Sequence, residues 1–249
     1  MNDSFNFIFK QFCYLSIAFA LLILFFPIGG KIDLALIQPW INNQGIFYLK
    51  HDWFLDTLNH RYAKHVLIAC YVFFFLGWLA SFKFDRFRSL RWDYGYFFMM
   101  GIFTVSMIGI IKSHSSHSCP WDMLMVSNEG IFWNFLRGNG HCFPGGHASS
   151  GFGLMVGYFV YRLSNPKRAY FYLFASIILG LGMGWAQIMR GAHFISHNLW
   201  TGWITWFLNV VVYMFTYQHF EKDKTQSNFL IAKLSDLKNT FARLFGHGQ

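Results

Sequence analysis

The sequence predicts an all-α fold: a polytopic membrane helix bundle with six transmembrane helices. Three observations predict it. The 249 residues are 55% hydrophobic and 22% aromatic. Only 12% are charged, against roughly 25% in a soluble domain. Six apolar stretches approach the ~20 residues that cross a bilayer, at roughly 11–29, 65–83, 94–112, 147–163, 169–189 and 194–217.

The stretch 11–29 is too long for a signal-peptide core and lacks a small-residue cleavage site, so it reads as a span. The stretches 65–83 and 94–112 are separated by Lys83, Arg86, Arg88 and Arg91. The fourth, 147–163, is the shortest and holds Ser149 and Ser150, read as packing or capping residues. The fifth carries Gly180, Gly182 and Gly184, which permit close helix packing. The sixth, 194–217, leads into a tail at 218–249. There Leu230, Leu234, Leu237, Phe241 and Leu244 recur every three or four residues among Lys and Arg, the pattern of an amphipathic helix on a membrane surface. The division is therefore a membrane domain over 1–217, with its motif-bearing core at 65–217, and a basic tail.

The net charge of +9 raises nucleic acid as a partner, but the basic residues form no single patch. They follow the loops instead. Of the 20 Lys and Arg, 13 fall at Lys10, in the 83–91 and 162–168 links and in the tail. The positive-inside rule then places both termini in the cytoplasm. The long loops 30–64 and 113–146 and the turn 190–193 face outward. The first of these, with Trp40, Phe47, Tyr48, Trp53 and Phe54, reads as interfacial.

Three polar segments fall on that outer face. They are Lys112–Pro120, Phe143–His147 and Arg190–His197. Ionisable groups beside lipid are costly and mark function. A lysine binds phosphate oxygens, a glycine pair offers amides to an oxyanion, and two histidines divide nucleophile and general-acid work. Cys13 and Cys70 fall in apolar spans and read as inert thiols. Cys119 and Cys142 share one outer loop and are a disulfide candidate. A metal site with nearby histidines and a pair of free thiols are the alternatives.

Together these segments resemble the type-2 phosphatidic-acid phosphatase (PAP2) superfamily, over roughly residues 65–217. The family's first motif is a lysine, six residues, then Arg-Pro; here Lys112 is followed by Cys119-Pro120. Its Pro-Ser-Gly-His motif is Pro144-Gly145-Gly146-His147. Its third motif is Arg, five residues, His, three residues, Asp. With His193 as that histidine, Gln187 replaces the arginine and His197 the aspartate.

The resemblance implies a membrane-embedded hydrolase of a lipid phosphate or pyrophosphate, acting without cofactor or metal. It makes His193 the nucleophile and His147 the general acid. His197 is the expected orienting partner, and Lys112, Arg190, Gly145 and Gly146 the phosphate-binding groups. Asp122 is a candidate relocated carboxylate; His114, His117 and Gln187 are further candidate donors. The expected setting is a bacterial inner membrane, with the site facing the periplasm. Two rival functions remain open at this point. One is a metal-dependent enzyme, on the strength of the His193–His197 i,i+4 pair. The other is a non-catalytic lipid-phosphate binding or transport protein.

Overall fold

In hydrocarbon every backbone N–H and C=O must be satisfied within its own segment, so the long apolar runs become long helices. The computed structural model describes residues 3–128 and 130–245, apart from the side chains of 3, 58–61, 63, 64 and 222–245. Helix α1 covers Asp3–Phe25 and the short α2 covers Lys31–Ile37. A 3-10 turn at Gln38–Trp40 and a wide π-helical stretch at Phe54–Tyr62 lead into α3, Ala63–Lys83. The turn α4, Asp85–Arg88, joins it to α5, Arg91–Ser113.

The connection that follows α5 contains α6, Pro120–Met123, and an antiparallel ribbon of β1, Leu124–Ser127, with β2, Gly130–Trp133. Leu124 stands opposite Trp133 in its register. Then follow α7, Gly146–Phe152, a 3-10 turn at Gly153–Met155, and α8, Val156–Tyr161. Helix α9, Pro166–Met189, starts cleanly because the Asn165 side chain accepts from Arg168 N–H and Pro166 presets the first turn. Helix α10 is one rod, Ile195–Phe245.

Among the described residues, five helices are long and apolar enough to cross a membrane: Ser4–Phe25, His65–Lys83, Arg91–Ser113, Pro166–Met189 and Ile195–Glu221. The six expected spans are thus met by five long ones. The fourth stretch, 147–163, is instead a segmented run through α7, the 3-10 turn and α8. Its physical reason is packing. A Cβ on Gly151 would stand 2.5 Å from Gly180 N, so α7 lies backbone to backbone on α9. Phe152, Leu154, Met155, Val156, Phe159 and Val160 are all buried. This run is the bundle's centre, walled by the longer helices.

Phe73, Leu76, Phe171 and Ile178 point outward from those walls, as a lipid-facing surface requires. Helix continues without a break from the last span through residues 227–245, so the expected tail helix is an extension of α10. The faces taken by its apolar residues lie outside the described residues.

The two ends of the bundle differ. At one, Arg162 donates to Tyr213 Oη at 2.8 Å and stacks 3.6 Å over Phe7, and Trp92 stacks on His219. At the other, the C-terminal ends of α5 and α9 meet the N-terminal ends of α7 and α10. The segment 30–64, read from sequence as interfacial, also packs on the bundle: Phe47 is 4% exposed and packs with Ile37, Ile188 and Phe194 beside that second end.

Candidate active site

The local sequence aims His193 through a helix stop. Gly191, at φ +77°, takes a left-handed conformation that other residues adopt at a cost. Its N–H bonds Ile188 O, and Ala192 N–H bonds Gln187 O, the paired closure of a Schellman motif. His193 N–H also reaches Gln187 O, at 3.3 Å. The imidazole is therefore delivered from a rigid turn into the start of α10.

His197 follows one turn later and is wholly buried. Its Nδ1 lies 3.4 Å from His193 Nδ1, within hydrogen-bond reach. Burial, reinforced by the Lys112 ammonium and then by His197 and His147, holds the His193 imidazole well below its ordinary pKa. His193 is therefore neutral at neutral pH. With its proton on Nδ1, His193 can donate to His197 Nδ1. His197 Nε2 is buried with no partner among the described residues.

The glycine pair sits beside this. Gly145 N–H donates to His197 O at 3.3 Å, and Thr201 Oγ donates to Gly145 O at 3.2 Å. A Cβ on Gly145 would strike Asn198 Oδ1, so glycine is required there. The Gly145 amide is thus occupied. Lys112, in the last turn of α5, runs alongside: its Cδ is 3.7 Å from where a Gly146 Cβ would stand. His147 is half-buried in the same first turn of α7.

Cys119 and Cys142 form a disulfide, with Cα atoms 5.1 Å apart. Cys142 Sγ lies 3.7 Å from His193 Nδ1 and 3.0 Å from Ala192 O, so the bridge sets the α5–α7 connection against the His193 turn. Cys142, His193 and His197 could form a metal-binding group, but the bridge occupies the sulfur.

Gln187 and Arg190 share one side. The Arg190 guanidinium pairs with Asp56 at 2.7 Å and donates to Lys50 O and to Gln187 Oε1. Gln187 is 2% exposed, and its Nε2 has no partner among the described residues. Asp122 is exposed and accepts from Trp121 Nε1. His114 is exposed and bonds back to Ile110 O. His117 is exposed with its ring 6.5 Å from that of His197, and with His114 and Phe143 it lines an open groove.

Three motif segments far apart in sequence are thus gathered at one end of the bundle. The sequence pattern of the PAP2 superfamily matches residues 92–221, more than half of the chain. The chain belongs to the PAP2 superfamily. The match runs from the start of α5 into α10 and so includes all three segments. Members of the PAP2 superfamily are phosphatases, and membership supports a phosphoric ester hydrolase. No curated protein and no solved structure matches the chain.

Several groups at this PAP2 site escaped the sequence reading. Asp33, 2% exposed on α2, accepts from Ser196 N–H at 2.9 Å, from Ser196 Oγ at 2.5 Å and from Gly29 N–H at 2.8 Å. It caps the α10 N-terminus from another element. Burial raises its pKa, against the lowering effect of those bonds. Asn198 and Thr201 tie α10 to α9 and to the glycine pair. Their signal was readable: Asn198, Thr201, Thr205 and Asn209 make a polar stripe at helical spacing in an apolar span, and all four are buried.

Proposed function

We propose that this protein is an integral membrane lipid phosphatase, cleaving a phosphomonoester or pyrophosphate through a phosphohistidine. The observation that carries the reading is the His193–His197 contact, held between a Schellman turn and the glycine pair. His193 Nε2 attacks phosphorus as the P–O bond to the lipid breaks, and His147 gives a proton to the leaving oxygen. Water then attacks the phosphohistidine, His147 takes its proton, and inorganic phosphate leaves with His193 restored.

Lys112 supplies the positive charge on the equatorial oxygens. The Gln187 amide, a buried donor standing where relatives carry arginine, supplies a hydrogen bond to the same oxygens. Arg190 acts through Gln187, whose Oε1 it holds, and through the Asp56 pair that fixes the first outer loop. His197 accepts the His193 Nδ1 proton in place of a carboxylate.

The charge distribution favours an inner-membrane setting, with both termini cytoplasmic and the site facing outward, so the substrate is an outer-leaflet lipid. Undecaprenyl pyrophosphate, phosphatidylglycerol phosphate, phosphatidic acid and lipid A phosphates all fit that description. Phosphate release by purified protein from a panel of these lipids tests the reading. Release that depends on His147 and His193 supports it. Binding without turnover on every lipid favours a transport or binding role.

A further inference from the structure

We propose that reduction of the Cys119–Cys142 bridge converts the catalytic histidine pair into a zinc site that silences the enzyme. Two of the three donor–donor edges already stand at coordination spacing, and the third is within 4.8 Å. His193 Nδ1 and His197 Nδ1 are 3.4 Å apart, Cys142 Sγ is 3.7 Å from His193 Nδ1, and all three lie within 4.8 Å of one another. Tetrahedral zinc with Zn–N near ~2.05 Å and Zn–S near ~2.3 Å has N···N edges of about 3.4 Å and S···N edges of about 3.6 Å. The set needs only small adjustments to close on a metal.

The bridge prevents this in the oxidised protein, because a disulfide sulfur is not a thiolate. A dithiol splits it into two thiols by giving two electrons and two protons and becoming a disulfide itself; a phosphine gives the two electrons and becomes its oxide, with water supplying the oxygen and the two protons. Without metal, the Cys142 thiol donates to Ala192 O, 3.0 Å away. With zinc, Cys142 loses its proton and binds as thiolate, and both imidazoles bind as neutral Nδ1 donors. Three protein ligands leave the fourth position for water.

Cys142, His193 and His197 are 1%, 3% and 0% exposed, a dry setting that favours thiolate–metal bonds over hydration. The cost to catalysis is direct. The metal takes the Nδ1 atoms that otherwise share a proton, and it puts positive charge on the nucleophile. The same sulfur therefore either clamps the site or disables it.

Cobalt reads the site independently of activity, through its tetrahedral d–d bands and thiolate charge transfer. Detergent-purified protein is titrated with Co²⁺ in three forms: oxidised, phosphine-reduced, and Cys119→Ser without reductant. The last frees Cys142 directly. One cobalt per chain with thiolate charge transfer is expected in the reduced protein and in Cys119→Ser, and none in the oxidised protein. Zinc should displace it, and Cys142→Ser and His197→Gln should each abolish it. Absence of the bands in both reduced forms overturns the proposal, as does their persistence in Cys142→Ser, which would place the metal on Cys119, Cys13 or Cys70. Phosphate release by oxidised, metal-free protein is measured separately, so loss of the phosphatase reading is not confused with loss of this one.

Discussion

His197 Nδ1 lies 3.4 Å from His193 Nδ1, where PAP2 relatives place a carboxylate against the nucleophilic histidine. A neutral imidazole can accept the Nδ1 proton, but it brings no negative charge to offset the cation forming on His193. Exchanging His197→Asp supplies that charge. Activity should be kept or raised, while His197→Ala should lose about 100-fold or more, the scale of a lost proton partner. Initial rates with a saturating lipid phosphate check this. If His197→Ala matches the wild type while Asp122→Asn is dead, the orienting group is Asp122.

Asp33 predicts a stability effect from a residue outside every motif. Removing its carboxylate leaves the buried Ser196 amide without an acceptor, at about 1–3 kcal/mol, and takes the acceptor from the part-buried Gly29 amide. Asp33→Ala should lower the melting temperature in detergent by many degrees. Ser196→Ala, which removes only the hydroxyl, should do so far less. Equal melting temperatures for wild type and Asp33→Ala would show that this cap contributes nothing.

Acid should destabilise the protein through His193. Its folded pKa is held down by burial, so the unfolded chain binds the proton first. Stability is then full above the unfolded value of ~6.5 and falls as pH drops from there toward the folded pKa. Chemical denaturation between pH 8 and pH 5 measures it. His193→Gln should flatten that slope; an unchanged slope would assign the acid sensitivity to other groups.

Two glycines on neighbouring helices should respond oppositely to one methyl group. Gly151→Ala forces a Cβ into the backbone of Gly180, costing about 1–3 kcal/mol by overpacking. Gly182 has nothing within 4 Å of an added Cβ, so Gly182→Ala should be neutral or gain up to about 1 kcal/mol in helix propensity. Thermal unfolding of both variants decides the matter.

The motif segments were legible because they are local. Lys112, His147, His193 and His197 stand in short segments of recognisable spacing, and the fold brings those segments to one end of the bundle. The groups that hold them were not legible, because their partners are remote: Asp33 meets Ser196 across 163 positions, and Arg190 meets Asp56 and Lys50 in a loop that aromatic content alone assigns to the interface. The same ambiguity hid Phe47, since an aromatic side chain buries equally well in lipid headgroups or against Ile188. The stretch 147–163 was recognisable as apolar, but hydropathy does not distinguish a lipid-facing span from a central run shielded by protein. Asn198 and Thr201 did leave a pattern, a polar stripe at helical spacing, that motif-centred reading passes over.

The central claim is that His193 becomes phosphorylated. Acid-labile, base-stable phosphate on the protein, trapped by rapid quenching during turnover of a labelled lipid phosphate, tests it most directly. The expected result is label on wild type, more label on His147→Ala if breakdown is slowed more than formation, and none on His193→Ala. Phosphate release by His193→Ala at the wild-type rate, with no labelled protein in either, would contradict it.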